Sequence, residues 1–393
     1  MSDSPSAKRL VAGLMSGTSL DGVDAAIATV SGSGRALTLT PHASVHHSYP
    51  DALRDALLRA SERARSSVYD LSQLNVRLAA PYAEAVRAAA AAADRDVADL
   101  DLVGSHGQTV HHIPSPEECA GAPIRSTLQI GAPPVLAQRL GVPVVGDFRL
   151  ADMALGGQGA PLAPYFDYAL LTDANETRGL LNLGGIANLT LLPADASRDQ
   201  VRAFDTGPAN MVIDALAEAL FDTPYDPDGT YAARGTVDTE WLAHLLEADY
   251  FHAPPPKSTG RERFGAPFAQ RLLRHADYRA PEDILATATM LTAASVYQAY
   301  ARFLRDTAPL DVLLVSGGGV HNETLMQALR DVFAPIPVRS TAAYGIDPDA
   351  KEALCFAVLA HEALNGVPTS LPSVTGADRA TRLGTISRPG PAS

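Results

Sequence analysis

The chain has 393 residues, of which 46% are hydrophobic and 19% charged, and its formal net charge is −13. This length exceeds one ordinary core and predicts two domains of roughly 150–200 residues each. The acidic balance argues against nucleic-acid or anionic-membrane partners, which require basic patches, but leaves room for an anionic substrate held by a few local donors.

Cysteine usage and hydropathy bear on the compartment. The two cysteines, Cys119 and Cys355, predict no disulfide framework and fit a reducing cytoplasm. No run approaches the roughly 18 apolar residues of a membrane span, and the first apolar run is too short for a signal peptide. We therefore expect a cytoplasmic protein without a membrane partner.

The stretch GLMSGTSLDGVDAA, residues 13–26, predicts two short strands joined by the loop SGTSLDG. An ordinary hairpin needs only two turn residues, such as Asn-Gly. This longer loop is rich in backbone amides and hydroxyls, which are the groups that bind phosphate.

The rest of the first half alternates strand and helix patterns. Pro81 predicts a helix break or a new first turn, and the alanine run at 88–93 favours helix. The predicted elements are a strand at 36–45, a helix from Asp51, one or two helices at 71–97, a strand at 99–110 ending in a polar glycine turn, and a strand from Pro143 followed by a glycine-rich loop to Pro164.

The second half opens like the first, with a strand, a Gly-Gly turn and a strand at 178–193. A strand that leads through a loop into a helix follows at 203–220, then a long helix at 284–306. Residues 310–331 predict a strand, a triple glycine and a helix. The two similar openings suggest an internal duplication, although identity between the halves is weak.

Three glycine loops follow predicted strands: SGTSLDG, then DTGPAN at 205–210, then SGGG at 316–319. Singly, they could be a hairpin loop, a strand–helix turn and a site of close packing. Their order in a chain of this size resembles the actin and sugar-kinase superfamily, in which such loops hold ATP. Neither a GxxxxGK[ST] nor a GxGxxG motif is present.

Longer strings make the resemblance specific. MSGTSLDGVD, GSHGQTVHH, QIG, GDFRLADMALGGQGAPL, NLGGIANLT, FDTGPAN, PKSTGRERF, SGGGVHN and SVTGA together resemble the anhydro-N-acetylmuramic acid kinase family, from Gly13 to about Ala377. The resemblance implies a two-domain α/β fold, actin-like and ribonuclease H-like, with an interdomain active-site cleft. Domain I is expected at 1–145 plus about 366–393, domain II at 146–365, and the assembly is expected to be a homodimer.

The resemblance also implies a double reaction that serves cell-wall recycling. Water opens the 1,6-anhydro ring of the sugar at its anomeric carbon, and O6 takes the γ-phosphoryl group of ATP with the help of Mg²⁺. The products are N-acetylmuramic acid 6-phosphate and ADP. This chemistry needs a base for water, a cradle for phosphate charge and donors that orient the sugar.

Asp205 matches the family's catalytic aspartate and is our candidate base; its alternatives are a helix N-cap or a partner of Mg²⁺-bound water. Asp24, which the resemblance assigns to ATP binding, could instead only brace the second strand. The resemblance assigns ATP binding to residues of the three loops, namely Gly17, Thr18, Ser19, Leu20, Asp21, Gly22, Val23, Asp24, Gly207, Gly317, Gly318 and Gly319.

Thr109 and Glu352 match sugar-contacting positions, although Glu352 could equally lie on the exposed face of an amphipathic helix. Arg149 is chosen by charge to face the lactyl carboxylate, with pairing to Asp147 or Asp152 as the alternative. His106 is expected to hydrogen-bond beside the sugar, because its spacing from the neighbouring histidines fits no zinc pattern.

The sequence departs from the expected patterns at two positions. Met15 stands where the superfamily usually has an aspartate, which leaves more of the carboxylate role to Asp205. Ala209 replaces the glycine of the family's DTGPGN, which is tolerable only if its φ is negative. The rival functions are a related anhydrosugar kinase, such as a levoglucosan kinase, and a sensor that binds ATP and sugar without phosphoryl transfer.

Overall fold

The computed structural model describes residues 7–17, 19–276 and 278–390. The chain divides into two compact units. The first unit contains the residues up to Leu171 and those from Ala350 onward, and the second contains Thr172–Asp349. Within the described ranges, no helix has both the length and the apolar character needed to cross a bilayer.

The regular elements alternate along both units. The strands of the described residues are β1 Arg9–Ser16, β2 Gly22–Ser31, β3 Thr38–Ser48, β4 Leu102–Cys119, β5 Ala122–Ile130, β6 Val144–Gly146, β7 Arg178–Leu183, β8 Ile186–Leu192, β9 Arg202–Pro208, β10 Val312–Ser316, β11 Val338–Ser340 and β12 Thr385–Ser387. The α-helices are α1 Asp51–Ser61, α2 Val68–Arg77, α3 Ala79–Ala92, α4 Pro133–Leu140, α5 Leu150–Met153, α6 Ala163–Leu171, α7 Asn210–Phe221, α8 Thr239–Leu246, α9 Asp249–His252, α10 Arg261–Phe264, α11 Ala266–Arg274, α12 Pro281–Phe303, α13 Glu323–Phe333, α14 Lys351–Leu364 and α15 Pro372–Thr375.

The two sheets share one topology. In the first, β3, β2 and β1 are antiparallel, and β4 and β6 follow β1 in parallel. In the second, β9, β8 and β7 are antiparallel, and β10 and β11 follow β7 in parallel. Only the first sheet is extended, by β5 on β4 and β12 on β6. This repeated order is that of a ribonuclease H-like domain, so the predicted two-domain actin-like fold is confirmed.

Most predicted elements appear close to their expected positions, including both opening hairpins and the helix across the alanine run. Pro81 lies in the first turn of α3, one of the two outcomes predicted for it. The strand predicted at 99–110 does not end in a turn. Instead, β4 continues to Cys119, because β5 pairs with its second half.

The chain passes from the first unit to the second after Leu171 and returns to the first at Ala350. The expected domain boundaries were at residues 145 and 366. The reason for this difference is α14, which packs on β1, β2 and β4 of the first sheet. Helix α6 joins it there, with a buried ion pair of 2.7 Å between Lys351 Nζ and Asp167 Oδ1. Because these contacts join distant parts of the chain, a local pattern does not reveal them.

Two glycines allow α14 to lie directly on the first sheet. A Cβ at Gly13 would lie 1.8 Å from the Ala353 carbonyl oxygen, and one at Gly104 would lie 2.0 Å from that of Phe356. Since real atoms cannot approach so closely, both positions exclude any side chain unless the helix moves.

Replacing Gly13 by alanine should therefore destabilise the first unit by about 1–3 kcal/mol or more, since the methyl must displace α14. Thermal unfolding measures the loss. Gly390→Ala is the control, because a Cβ at Gly390 meets only the Gln138 side chain, at 3.7 Å. Equal stability of the two variants would contradict this account of the helix–sheet contact.

Candidate active site

The β1–β2 turn is an open loop at the ends of two buried strands. A Cβ at Gly17 would approach nothing closer than the Ser19 hydroxyl at 3.5 Å, so space lies beside this part of the backbone. Ser19 and Asp21 are exposed, and the Ser19 hydroxyl donates to Asp21 Oδ1 at 2.5 Å. Thr18, the remaining polar residue predicted here, lies outside the described residues.

Buried hydroxyl groups at the end of β1 and two hydrogen bonds to loop carbonyls hold the β1–β2 loop in place. Ser16 Oγ donates to Tyr82 OH at 2.7 Å and lies 3.0 Å from Tyr49 OH. Gln108 Nε2 donates to the Gly17 carbonyl at 3.0 Å, and the Tyr49 amide donates to the Asp21 carbonyl at 2.8 Å. Burial raises the pKa of Tyr49 to about 12, so its hydroxyl stays protonated.

The sequence reasoning missed these supports. The available signal was Gln108, which lies in the motif GSHGQT. The two tyrosines come from separate elements and carried no signal of their own.

Other residues assigned to this loop serve the fold directly. Leu20 and Val23 are buried in the core of the first unit. A Cβ at Gly22 would lie 2.5 Å from the His47 carbonyl oxygen, so glycine is needed for the contact with β3. Asp24 accepts from His46 Nδ1 at 2.8 Å across the same strand pair, which matches the bracing alternative.

Arg149 is held by His106, not by a carboxylate. Its Nε and Nη2 lie 3.1 and 2.9 Å from His106 Nε2, and its Nη1 donates to the Gly159 carbonyl at 2.9 Å. Burial, together with the charge of Arg149, lowers the pKa of His106 well below its usual value, so the ring is neutral and accepts these bonds.

The alternative pairing of Arg149 with an aspartate is not observed. Asp152 accepts instead from Thr375 Oγ1 at 2.7 Å and from the Gly159 amide at 2.8 Å. Burial lowers the pKa of Arg149 to about 10, a shift that Glu352 opposes, so the guanidinium remains charged at neutral pH.

Thr109 and Glu352 lie in the same unit as Arg149. Thr109 Oγ1 accepts from Gln129 Nε2 at 3.1 Å across the β4–β5 pair. Glu352 is half-buried in the first turn of α14, whose residues from Ala353 to Ala363 are all buried. The helix is therefore not an amphipathic surface helix, and Glu352 acts electrostatically on Arg149.

In the second unit, Asp205 lies within β9, the edge strand of its sheet. Its Oδ2 accepts from the Thr259 amide at 2.8 Å, its carbonyl accepts from Tyr250 OH at 2.8 Å, and its amide donates to the Lys257 carbonyl at 3.2 Å. Asp205 is not a helix N-cap, because α7 begins only at Asn210.

Burial raises the pKa of Asp205 to about 7, against the opposing effect of the Thr259 amide; Glu262 raises it further and Lys257 lowers it. A carboxylate with a pKa near the working pH is suited to general-base chemistry. The sequence identified Asp205 but missed Lys257 and Thr259, although both lie in the quoted string PKSTGRERF.

Three of the four assigned glycines of this unit lie where a Cβ would collide with protein atoms, and the fourth, Gly318, does not. A Cβ at Gly207 would lie 2.8 Å from Ser295 Oγ, and one at Gly319 would lie 2.6 Å from Leu183 Cβ, so both serve packing. Gly317 adopts φ +81°, and a Cβ there would lie 2.6 Å from Asn182 Oδ1. Gly318 is exposed and has nothing nearer than Asn210 Nδ2 at 3.6 Å, which leaves room for a ligand.

The condition set for Ala209 in the turn before α7 is met, because its φ is −139°. In the turn before α13, Asn322 caps the helix, since its side chain accepts from the Leu325 amide at 2.9 Å.

The β7–β8 turn lies beside the start of α7, where the amides of Ala209 and Asn210 donate to the carbonyls of Gly185 and Gly184. It occupies the same topological position as the β1–β2 loop. This turn was not among the predicted site residues, although its Gly-Gly pair is visible in the sequence.

Comparison with known proteins shows the family. The family described as anhydro-N-acetylmuramic acid kinase matches residues 9–389. The chain belongs to the anhydro-N-acetylmuramic acid kinase family. Curated relatives bear that same name. The one from Salinibacter ruber is 63% identical over 386 residues, with 98% of this chain and 97% of the relative covered.

Two further relatives are less similar in sequence but are covered over nearly their whole length. The one from Caldanaerobacter subterraneus is 41% identical, with 97% of each chain covered. The one from Gloeobacter violaceus is 43% identical, with 96% of this chain and 98% of the relative covered. The motif-based assignment is thus confirmed over nearly the whole chain.

Asp205→Asn should stabilise the protein at pH 8. The raised pKa means that the fold favours the protonated carboxyl, so stability is lost as the pH rises through about 7. Asparagine removes that charge, and we expect a gain in unfolding temperature on the order of a few degrees at pH 8 that shrinks at pH 5. Asp306→Asn, at an exposed position, is the control. A lower unfolding temperature for Asp205→Asn at pH 8 would contradict the burial argument.

Proposed function

We propose that the protein is an ATP-dependent kinase that hydrolytically opens 1,6-anhydro-N-acetylmuramic acid and phosphorylates its O6, giving N-acetylmuramic acid 6-phosphate and ADP. The observation that carries this proposal is Asp205, a carboxylate with a pKa of about 7 and fixed orientation, in a chain of the anhydro-N-acetylmuramic acid kinase family. The pathway served is the recycling of cell-wall sugars.

In the proposed mechanism, Asp205 removes a proton from water as the water oxygen bonds to C1 of the sugar. The C1–O6 bond breaks, and O6 attacks the γ-phosphorus of ATP, from which ADP departs. Overall, sugar, water and ATP give the sugar phosphate, ADP and one proton. The fixed orientation of Asp205 supports this role, because general bases act only when positioned.

In the first unit, we assign phosphate binding to the β1–β2 loop with Gly17, Ser19 and Asp21. In the second unit, the β7–β8 turn is assigned the same role by its topological position. Glycine-rich turns suit such a role, because glycine leaves the backbone amides accessible to phosphate oxygens. The described residues contain no cluster of three or more His, Cys, Asp or Glu side chains placed for a metal. A magnesium ion would be bound mainly by the nucleotide phosphates with one carboxylate such as Asp21, and it would neutralise phosphate charge.

For the sugar we assign three residues of the first unit. Arg149 is the cation for the lactyl carboxylate, and its contact with the neutral His106 leaves its charge uncompensated by that partner. Thr109 and Glu352 are assigned to sugar hydroxyl or amide groups. Levoglucosan has no carboxylate for Arg149 to bind. The curated relatives described above are named anhydro-N-acetylmuramic acid kinase.

Purified protein with ATP and Mg²⁺ should consume ATP on 1,6-anhydro-N-acetylmuramic acid and not on levoglucosan, with a product mass that shows both water and phosphate added. Turnover on levoglucosan alone would favour the related kinase, and binding of both ligands without ADP would favour the sensor.

Asp205→Asn should lower turnover by about 100-fold or more while leaving ATP affinity nearly intact. Equal loss of ATP binding would assign Asp205 to the nucleotide.

Two neighbouring glycines separate ligand contact from packing. Gly318→Ala should raise the KM for ATP without lowering the unfolding temperature, because its methyl would approach no protein atom closer than Asn210 Nδ2 at 3.6 Å and would occupy the space proposed for ATP. Gly319→Ala should instead destabilise the second unit by about 1–3 kcal/mol, because of the contact with Leu183. Steady-state kinetics and thermal unfolding of both variants make the comparison, and an unchanged KM for Gly318→Ala would remove Gly318 from the ATP site.

Three finer properties belong to the same proposal: magnesium dependence, a homodimeric state and a cytoplasmic location. They rest on the family resemblance and, for the location, on the cysteine usage and hydropathy of the chain.

A further inference from the structure

The edge strand β9 is covered along part of its free side by residues 250–259, which we call the strap. Among the described strands, β9 pairs with β8 alone, so its outer amides and carbonyls need other partners. At Asp205 the strap supplies them: the Lys257 carbonyl for the amide, Tyr250 OH for the carbonyl, and the Thr259 amide for the carboxylate. The orientation of Asp205 thus depends on the strap.

Lys257 fastens the strap to the rest of the second unit. Its ammonium group lies 4.7 Å from the ring centre of Tyr250, 5.2 Å from that of Phe303 and 5.7 Å from that of Phe204. It also donates to the Tyr250 carbonyl at 3.0 Å. These rings belong to the strap, to α12 and to β9, so a single cation joins three elements beside Asp205.

The charges around Asp205 come from several elements. Lys257 favours the ionised carboxylate, and Glu262 of α10 opposes it. Arg263 lies over the Tyr250 ring at 5.1 Å, and Arg302 of α12 acts on Lys257. Burial lowers the pKa of Lys257 to about 8, so it carries its charge at neutral pH. Of these groups, Lys257 is the cation that acts on Asp205 and also belongs to the strap.

We propose that Lys257 is a positioning residue for the reaction: it holds the strap against β9, which fixes the orientation of Asp205, and its charge favours the ionised carboxylate. This inference rests on the proposed role of Asp205 as the base. We expect no direct contact of Lys257 with ATP or the sugar, because its ammonium group is engaged by three rings and a carbonyl.

The test is the pH profile of kcat/KM for the anhydrosugar at saturating ATP, measured for the wild type, Lys257→Met and Lys257→Arg. Loss of the charge should move the acidic limb of the profile upward by about one pH unit. Activity at pH 6 should therefore fall about tenfold relative to the wild type, with a smaller loss at pH 8.5. Lys257→Arg should restore the wild-type limb, and the KM for ATP should be unchanged in both variants.

Arg271→Met is the matched control, since it removes a cation that lies 5.2 Å from the Phe268 ring in the same unit. It should leave the pH profile unchanged. Tyr250→Phe covers the case in which Lys257→Met does not fold. It removes only the hydroxyl that bonds the Asp205 carbonyl, and it should lower kcat without changing the KM for ATP or the acidic limb.

Several outcomes would overturn the inference: an acidic limb that stays in place in Lys257→Met, a loss equal at all pH values, a raised KM for ATP, or an unchanged kcat in Tyr250→Phe. Failure of the proposed function is a separate result, because the wild type would then show no turnover on the muramyl anhydrosugar, or Asp205→Asn would remain active.

Discussion

The partial burial of one carboxylate is the constraint on which the candidate site of the second unit depends. A carboxylate that is partly shielded from water is stabilised by hydrogen bonds from the protein, and Asp205 receives one from the Thr259 amide at 2.8 Å. Since that amide comes from a segment more than fifty residues later in the chain, the site exists only when the strap lies on the edge of the second sheet. Burial and this bond act oppositely on the pKa of Asp205, and burial prevails.

The first unit meets a different constraint, which is the close approach of α14 to its sheet. Gly13 and Gly104 remove the side chains that would separate helix from strands. This contact fixes Lys351 and Glu352 at the start of the helix, near the elements that carry His106 and Arg149. The same helix–sheet contact therefore determines both the packing of this unit and the position of these charged residues.

Glycine has two distinct uses in the candidate site, which a motif cannot separate. At Gly17 and Gly318 a Cβ would approach no described protein atom closer than 3.5 and 3.6 Å, which leaves the backbone accessible to a ligand. Gly22, Gly207 and Gly319 instead lie where any Cβ would meet protein atoms. The same residue type thus marks ligand space at some positions and close packing at others.

The sequence alone determined the local hairpins, the positions of most helices, the family and the candidate base, because these depend on short-range periodicity and on strings of adjacent residues. Only the tertiary structure decided the unit boundaries, the continuation of β4 into its pairing with β5, and the partners of Asp205 and Arg149. These properties arise from contacts between residues far apart in the chain. Such contacts leave no periodic trace, because each partner's local pattern is satisfied whether or not the other is near.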